Sequence, residues 1–363
     1  MHLSKFWRIG GITFWAIIIG CVLIFYWDYT GLKISPENNL FAQITPSDCS
    51  NLETRDVHIA YVTDANYLYP TQVSLYSAIQ NKCPQSIYHF HIATDNVDLK
   101  QAESYFRPFE KSDVNIEIVQ MNGAYKRKFP KFLKHISATA IVKVSLPEAL
   151  PEVDKLIYLD SDTLVTKDLQ ELYTTELEEP FIAGAVEDIG VVSQKEYLEK
   201  LGFKEPFYYN AGMFLFNLKQ MRKEKISKML IAYIKGIKKL WFLEQDAYNM
   251  VLQKSIKRLH YKYNTAAILH IEVNETPVIF AEYLKKRLTG RTWEGSNFLR
   301  LHADELPFFY RNIFKDTVML HYFGPSKPWR DPPDCIQREL YYNFWKSYAD
   351  RMAEYLDSKT QAP

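Results

Sequence analysis

The feature that most constrains the fold is an alternation of short apolar runs with stretches of helical spacing. Strand-like runs occupy residues 57–64, 87–95, 114–121, 155–162, 181–187 and 213–218. Apolar residues spaced as in helices occur at residues 71–81 and 138–150, and Asp168 with Glu171 predicts a helix start with a capping box. The alternation predicts an α/β fold with a mainly parallel sheet and right-handed crossovers.

Composition sets the size of the core and argues against one class of partner. The chain has 363 residues, of which 47% are apolar, so a sizeable core can form. Its 44 basic and 43 acidic side chains leave a formal net charge of +1, so no nucleic-acid partner is expected. The four cysteines, Cys21, Cys49, Cys83 and Cys335, have no CxxC or zinc spacing. Cys49 and Cys83 are either a disulfide or free thiols.

The N-terminal segment carries a candidate membrane span. Residues 9–27 form an uncharged run of 19 residues, which is long enough to cross a bilayer as a helix. No small-x-small cleavage site follows this run, so an uncleaved single-pass anchor is predicted rather than a signal peptide. Lys5 and Arg8 precede the run and Asp28 follows it, so the positive-inside rule predicts a cytoplasmic N-terminus with the bulk of the chain across the membrane.

The chain is predicted to have four parts. They are an N-terminal tail and transmembrane anchor (1–30), a polar stem (31–55), an α/β domain (56–335) and a C-terminal amphipathic helix (336–363). The last helix is expected to pack on the domain through an apolar residue at every fourth position, namely Leu340, Phe344, Tyr348, Met352 and Leu356.

Carboxylates stand at the ends of the predicted strands and suggest where a ligand binds. These acids are Asp64, Asp95, Asp160 and Asp162. Ligands of parallel α/β sheets bind beyond the carboxyl ends of the strands, so the four acids are expected to share one rim. Asp160 and Asp162 follow the buried-looking run LIYL, and two like charges so close together require compensation.

The paired aspartates allow three interpretations. In the first, both bind a hard divalent cation that neutralises a diphosphate leaving group, as a nucleotide-sugar transferase requires. In the second, the chain is a phosphatase of the haloacid-dehalogenase type, with Asp160 as nucleophile and Asp162 as acid/base. In the third, Asp162 is a turn or cap residue. The motif alone does not choose among them.

A second motif near the C-terminus favours the transferase. The stretch LHYFGPSKPW, residues 320–329, contains three residue types suited to a metal and a phosphate. His321 can complete a metal shell, Gly324 lets the backbone approach a phosphate, and Lys327 can pair with it. The phosphatase strand usually opens its domain, whereas α/β sequence precedes this strand from residue 57 onward.

Seven segments, taken in order, resemble the family-8 retaining glycosyltransferases of the GT-A fold. They are HIAYVTDANYLYPTQVSLYSAIQN, HISATAIVKVSLPEAL, KLIYLDSDTLVTKDLQELY, YYNAGMFLFNL, LEQDAYNMVL, HYKYNTA and LHYFGPSKPW. The resemblance runs from His58 to Trp329 and is strongest to the bacterial lipopolysaccharide glucosyl- and galactosyltransferases. It implies a Rossmann-like, nucleotide-diphospho-sugar transferase domain with a mixed sheet flanked by helices.

The resemblance also implies a role for each matching position. Asp64, Asn66 and Tyr67 would hold the uridine, with Tyr67 stacked on uracil. Asp160, Asp162 and His321 would bind Mn²⁺ or Mg²⁺. Gly324 and Lys327 would hold the diphosphate, and Asn210 and Ala211 would contact the donor sugar. Gln245 would lie under the anomeric carbon, flanked by Glu244 and Asp246. Lys143 stands where many members have Arg, so it keeps the charge but loses the two-pronged geometry.

The implied reaction moves a hexose, glucose or galactose, from a UDP-sugar to a hydroxyl of a glycan or lipid-linked, lipopolysaccharide-type acceptor, with Mn²⁺ and with retention. Gln245 is a neutral amide and a poor nucleophile, so front-face attack beside the leaving diphosphate is favoured over a covalent intermediate.

Residues 265–315 are expected to shape the acceptor cleft. The expected location is the bacterial inner membrane with the domain facing the cytoplasm, although the charges around the anchor favour the opposite side. A Golgi membrane with a luminal domain is the alternative.

Overall fold

The computed structural model describes residues 44–95, 97–121, 142–188, 191, 195–236, 242, 244–266, 313–324, 326–333 and 336–361. These residues all belong to one compact unit that begins at Ile44. In this part of the chain no helix is long and apolar enough to cross a membrane. The predicted anchor at residues 9–27 lies outside the described residues, as does most of the predicted acceptor segment 265–315.

A seven-stranded mixed sheet forms the centre of the domain. Its strands are β1 (Arg55–Thr63), β2 (Ser86–Thr94), β3 (Val114–Gln120), β4 (Lys155–Leu159), β6 (Ala183–Glu187), β7 (Tyr209–Asn217) and β8 (Ile256–Arg258). They lie in the order β3-β2-β1-β4-β7-β6-β8. The first four in this order are mutually parallel, whereas β7 runs antiparallel to both of its neighbours. The alternation in sequence therefore predicts the parallel half correctly and misses the reversed strand.

The register of the parallel strands brings their carboxyl ends to one edge of the sheet. Thr63 pairs with Thr94 across β1 and β2, and Tyr61 pairs with Leu159 across β1 and β4. The chain leaves these three strands at Asp64, Asp95 and Asp160, so the acids follow neighbouring strand ends as predicted. All three strands are buried along most of their length, which explains their nearly continuous apolar sequence.

A second, three-stranded sheet brings the C-terminal motif to the same edge. It consists of β5 (Thr163–Val165), β10 (Met319–His321) and β9 (Thr265–Ala266), in the order β5-β10-β9. Strand β10 pairs antiparallel with β5, so that His321 lies opposite Thr163. The Tyr322 N–H donates to the carbonyl of Asp162 at 2.8 Å, which continues this contact beyond the strand.

Helices flank the large sheet. They are α1 (Leu68–Asn81), α2 (Leu99–Phe106), α3 (Leu146–Ala149), α4 (Gln170–Thr174), α5 (Lys195–Leu201), α6 (Leu218–Lys223), α7 (Ile226–Gly236), α8 (Glu244–Leu252), α9 (Ile313–Asp316) and α10 (Ile336–Thr360). Helix α1 packs on β1 and β5 and is itself covered by α10. On the other half of the sheet, Phe214 and Phe216 of β7 stack with centroids 4.7 Å apart, and Tyr248 of α8 lies 4.8 Å from Phe214.

The predicted capping box at Asp168 and Glu171 is wrong. Asp168 does accept a hydrogen bond from the N–H of Gln170, at 2.7 Å. Its own N–H, however, donates to the Ser47 hydroxyl at 2.6 Å, and the Glu171 carboxylate instead binds the Lys262 ammonium at 2.8 Å. A cation from a distant segment therefore takes the side chain that local capping would use.

The described part of the predicted stem, residues 44–54, is bonded to the domain. Cys49 forms a disulfide with Cys83 at the end of α1, which resolves the alternative that the spacing leaves open. The Gln170 side chain donates to the carbonyl of Glu53 at 2.8 Å, and the Lys167 ammonium donates to the Thr45 hydroxyl at 2.9 Å. These contacts hold the segment against the loop that follows β5.

Two predicted helices differ in detail from the structure. Within the predicted helix 138–150, the described residues 142–149 are helical except at Ser145. In α10, the fully buried stripe is Tyr341, Tyr342, Trp345, Tyr348, Ala349 and Met352. Phe344 and Leu356 are only half-buried, because the helix presents a slightly rotated face to α1.

Candidate active site

Asp160, Asp162 and His321 converge at the rim of the sheet. The Nε2 atom of His321 lies 3.2 Å from Asp162 Oδ1 and 3.9 Å from Asp160 Oδ2. One ligand atom from each of the three residues lies within 4.8 Å of the others. The Asp160 N–H donates to the carbonyl of Gly212 at 2.8 Å, which fixes the turn that carries both acids against β7.

This donor set suits a divalent cation. Two carboxylates and one imidazole are ligands that Mn²⁺ accepts, and the carboxylates also suit Mg²⁺. The Nδ1 of His321 lies 3.0 Å from the side-chain oxygen of Asn264, which can only accept a hydrogen bond. With the proton on Nδ1, the Nε2 lone pair would be free to bind a cation held between the two carboxylates, as a metal-binding histidine requires.

Two lysines compensate the charge of the aspartates. Lys327 is buried, and its ammonium lies 2.5 Å from Asp162 Oδ2 and 2.8 Å from the Tyr322 carbonyl. Burial alone would raise the pKa of Asp162, but His321 and Lys327 outweigh it and hold that pKa well below its usual value. Lys327 therefore supplies part of the positive charge that the two adjacent aspartates require.

Lys143 is the second cation at this rim. Its side chain is 1% exposed, and its ammonium lies 3.4 Å from Asp160 Oδ1 and 3.6 Å from Glu244 Oε1. It also donates to the Ala211 carbonyl and lies 4.2 Å from the centroid of the Tyr158 ring. The Tyr158 hydroxyl donates to Asp160 Oδ1 at 2.5 Å. Burial raises the pKa of Glu244, with Asp160 adding to the effect and Lys143 opposing it.

A chain of amide hydrogen bonds connects the histidine to Gln245. The Asn264 amide donates to Asn210 Oδ1 at 2.9 Å, and the Asn210 amide donates to Asp188 Oδ2 at 3.0 Å. Gln245 donates from Nε2 to the same Asp188 oxygen at 3.0 Å, and its Oε1 accepts from the Ala211 N–H at 2.8 Å. Both ends of the Gln245 amide are therefore engaged and its orientation is set.

Asp246 is buried beside Gln245 and hydrogen-bonded to residues from other segments. The sequence groups it with the catalytic residues, but the structure buries it completely. Its Oδ1 accepts from the Tyr208 hydroxyl at 2.5 Å, and Oδ2 accepts from the Tyr197 hydroxyl and from the Phe242 N–H at 3.1 Å. Asp246 thus ties the start of α8 to neighbouring segments, and its assignment as a catalytic residue stays a prediction.

The predicted uridine-binding residues form the turn between β1 and α1. Asp64 Oδ1 accepts from the Asn66 N–H at 2.9 Å, and the Tyr67 N–H donates to the Asp64 carbonyl at 3.0 Å. The Tyr67 ring is half-buried and packs edge-on against Trp329 at 5.9 Å. Burial raises the pKa of Tyr67, while Lys327 opposes this effect, so the turn lies within electrostatic reach of the C-terminal motif.

Gly324 lies in that motif with φ of +92°, a conformation that favours glycine. It is exposed, and a Cβ there would meet no atom of the described residues within 4 Å. The residue therefore presents bare backbone at the rim, in the loop that also carries His321 and Lys327.

A small cavity of about 10 Å³, roughly the space of one water molecule, lies beside His321. Its described lining comprises two acids, two amides, two aromatic rings and the imidazole, namely Glu187, Asp188, Asn210, Asn264, Tyr261, Phe323 and His321.

Three important residues are missed by the sequence analysis. Asp188 and Asn264 carry the amide chain, and their types alone give no signal. Gly212 lies in the middle of β7, where a Cβ would come within 2.0 Å of the Cε1 of His321. A glycine inside a strand often marks such a close approach and could have been noticed.

The fold and the rim define the class of this protein. It belongs to glycosyl transferase family 8, whose family model matches residues 58–332. The chain is therefore a glycosyltransferase, which argues against the phosphatase interpretation of the paired aspartates.

The individual proteins that this chain resembles share only about a quarter of their aligned residues with it. The lipopolysaccharide glucosyltransferase WaaO of Escherichia coli K12 is 25% identical over 282 residues, covering 75% of this chain and 72% of WaaO. The lipopolysaccharide 1,3-galactosyltransferase of Salmonella typhimurium is 23% identical over 281 residues, covering 75% and 72%. The solved structure of galactosyltransferase LgtC, in complex with donor and acceptor sugar analogues, is 26% identical with a TM-score of 0.60, covering 85% of this chain and 98% of LgtC.

Proposed function

We propose that this protein is a metal-dependent, retaining hexosyltransferase that moves glucose or galactose from a UDP-sugar to a hydroxyl of a lipopolysaccharide-type or other glycan acceptor. The observation that carries the proposal is the convergence of Asp160, Asp162 and His321, with ligand atoms within 4.8 Å of one another. The named activities of WaaO and of the Salmonella enzyme support glucose or galactose as the sugar.

The proposed chemistry depends on stabilising the departing diphosphate. A divalent cation held by Asp160, Asp162 and His321 would neutralise charge that develops on the diphosphate. Lys327 carries a positive charge to the same place, since its ammonium lies 2.5 Å from Asp162. Gly324 lies in the same loop, and a Cβ there would meet no atom of the described residues within 4 Å, so its backbone is open to phosphate oxygens.

The engagement of Gln245 supports front-face attack. Its Oε1 already accepts from the Ala211 N–H and its Nε2 donates to Asp188, so the neutral amide is held as a binding group. In the proposed step the acceptor oxygen bonds to the anomeric carbon while the bond from that carbon to the diphosphate oxygen breaks. The acceptor proton passes to the leaving diphosphate oxygen. Because the acceptor attacks from the face that the diphosphate leaves, the new bond forms on the original face.

Release of UDP tests this function. The purified protein is mixed with UDP-glucose, UDP-galactose or UDP-N-acetylglucosamine and Mn²⁺, with and without an oligosaccharide acceptor. We expect UDP release from one or two donors, stimulated by acceptor, abolished by a chelator and absent in Asp160→Asn. Full turnover in the presence of the chelator would refute the metal-dependent mechanism, and release of phosphate from a simple phosphomonoester instead would refute the transferase.

The membrane anchor and the side of the membrane on which the domain lies remain predictions. We propose the alternative given above, a luminal domain on a Golgi-type membrane, in place of the expected cytoplasmic-facing domain, and the acceptor would then be a glycan other than lipopolysaccharide. The disulfide between Cys49 and Cys83 supports an oxidising compartment, in agreement with the charge bias around residues 9–27. Alkylation of cells with a maleimide reagent checks this. We expect both cysteines to be protected until reduction, with Cys83→Ser, which frees the half-buried Cys49 thiol, as control. Immediate labelling of both thiols in the unmodified chain would contradict the proposal.

A further inference from the structure

Helix α10 is the part of the domain that the family match does not cover, since that match ends at residue 332. The helix lies along α1, the helix that follows the Asp64–Tyr67 turn. The Asn81 amide donates to the Tyr348 hydroxyl at 2.8 Å, and the Tyr76 hydroxyl donates to the Arg351 carbonyl at 3.2 Å. Farther along, Tyr355 stacks on Phe109 at 5.6 Å. The second half of α10 is thus attached to α1 and the segment after α2.

The first half of α10 instead contacts the rim of the active site. Trp345 is 2% exposed, and its ring lies 5.3 Å from that of Trp329 and 5.8 Å from that of Tyr69. Trp329 in turn packs edge-on against Tyr67 at 5.9 Å. The Tyr322 hydroxyl donates to the carbonyl of Tyr341 at 3.1 Å, which attaches the segment after β10 to the same half of the helix.

These rings join two segments that approach the site from different parts of the chain. Tyr67 ends the turn after β1, whereas Trp329 closes the loop that carries Gly324 and Lys327. The Lys327 ammonium lies 5.8 Å from the centroid of the Trp329 ring. Trp329 therefore contacts both segments, and Trp345 supports it from behind.

We propose that Trp345 is a positioning residue for the nucleotide end of the donor site. Through Trp329 it holds the Tyr67 ring and the Lys327 ammonium at a set separation, so that uracil and diphosphate are bound together. The inference rests on the proposed function, because it takes the UDP-sugar as the ligand of those two residues.

Ring packing, rather than hydrogen bonding, carries this role. The Nε1 of Trp345 is buried and has no hydrogen-bond partner among the described residues. A phenylalanine keeps an aromatic face against Trp329 and removes the unpaired donor, so Trp345→Phe is expected to preserve the function. Alanine removes the face altogether and leaves Trp329 unsupported.

Steady-state kinetics and UDP binding test the proposal on the full chain. For Trp345→Ala we expect the KM for the UDP-sugar and the Kd for UDP with Mn²⁺, measured by calorimetry, to rise about tenfold, with kcat changed less than about threefold. Trp345→Phe should stay within about twofold of the unmodified protein on both measures. Tyr355→Ala is the matched control, because it also removes a packed ring from α10 but far from the rim.

The outcomes separate this proposal from its basis. If the unmodified protein neither releases UDP nor binds it, the proposed function fails and this inference falls with it. If the unmodified protein is active, an unchanged KM and Kd in folded Trp345→Ala overturns the positioning role alone, as does an equal rise in Tyr355→Ala. Should Trp345→Ala not fold, Trp345→Leu retains apolar volume without a ring and must show the same rise in KM and Kd.

Discussion

The imidazole of His321 lies directly against the backbone of Gly212, so close that a Cβ at Gly212 would come within 2.0 Å of Cε1 and 2.6 Å of Nδ1. Gly212 is also the residue whose carbonyl accepts the N–H of Asp160, at 2.8 Å. One glycine in the reversed strand β7 therefore accepts a hydrogen bond from the first aspartate of the candidate metal site and packs against its histidine.

Replacement of this glycine is expected to weaken metal binding. In Gly212→Ala the imidazole must move from its place 3.2 Å from Asp162 and 3.0 Å from Asn264. We expect the Kd for Mn²⁺, measured by calorimetry, to rise at least about tenfold. Gly184→Ala is a suitable control, since the three atoms nearest to its Cβ would all belong to the flexible side chain of Leu259, the first at 3.0 Å. An unchanged Kd in folded Gly212→Ala would count against His321 as a ligand.

Neutralising Asp162 is expected to abolish turnover while preserving the fold. Lys327 and Asp162 are 165 residues apart in sequence and 2.5 Å apart in the structure. Asp162→Asn keeps the shape of the side chain and an acceptor oxygen but loses the charge that a cation and Lys327 require. We expect kcat/KM for UDP release to fall at least about a hundredfold, with an unchanged circular dichroism spectrum. Activity within about threefold of the unmodified protein would contradict this role.

Neutralising Asp168 is expected to lower the stability of the fold while preserving turnover, the opposite of the result expected for Asp162. Asp168 is buried, and its carboxylate accepts from the Cys83 N–H at 2.7 Å, the Tyr88 hydroxyl at 3.0 Å and the Gln170 N–H at 2.7 Å. An asparagine has one acceptor oxygen, so Asp168→Asn leaves at least one of these donors unpaired. The free energy of unfolding should fall by about 2 kcal/mol in urea titrations, while kcat per folded molecule is retained. A large loss of kcat without loss of stability would show that Asp168 is functional.

Stability is expected to fall on acidification because of three stacked histidines on β1 and β2. His58 Nδ1 lies 3.0 Å from His91 Nε2, and the rings of His58 and His89 are 4.8 Å apart. Burial, and then His91 and His89, lower the pKa of His58 to about 4. Burial likewise lowers the pKa of His91, although Glu117 opposes it. The remaining groups that face His58 are Asp56 and Tyr173.

A histidine whose pKa is lower in the folded state stabilises the fold only while it is neutral. The contribution of His58 is therefore complete above its unfolded pKa of about 6.5 and is lost as the pH falls toward 4. Discounted for partial solvent exposure, it amounts to about 1 kcal/mol between pH 7 and pH 5. Urea titrations of His58→Gln should show a shallower decline over this interval; identical pH profiles would rule out the histidine stack as the cause.

The strands and their terminal acids follow from local sequence. Strands β1, β2 and β4 each end in a run of buried, mostly apolar residues, and each run ends where a polar residue follows. For this reason Asp64, Asp95 and Asp160 could be placed at one edge before any coordinates were known. Family resemblance extended this to the residues of the C-terminal motif, because the order of the matching segments is itself specific.

Local sequence could not separate functional acids from structural ones. Asp162 and Asp168 both follow strand-like residues, and Asp246 lies beside Gln245. What distinguishes Asp162 from Asp168 is which distant donor reaches each carboxylate: the Lys327 ammonium for Asp162 and the Tyr88 hydroxyl for Asp168. A capping box predicted at Asp168 fails for the same reason, since Ser47 and Lys262 supply the partners.

By itself, then, the sequence determined that strands alternate with helices, which acids end them, and which motifs accompany them, because these depend on periodicities of a few residues. Only the tertiary structure decided that β7 runs backwards beside β4, that a three-residue strand carries His321 to the aspartates, and that Trp345 supports the rim from a separate helix. Pairings of this kind depend on packing free energy summed over segments far apart in the chain, and no local pattern encodes that sum.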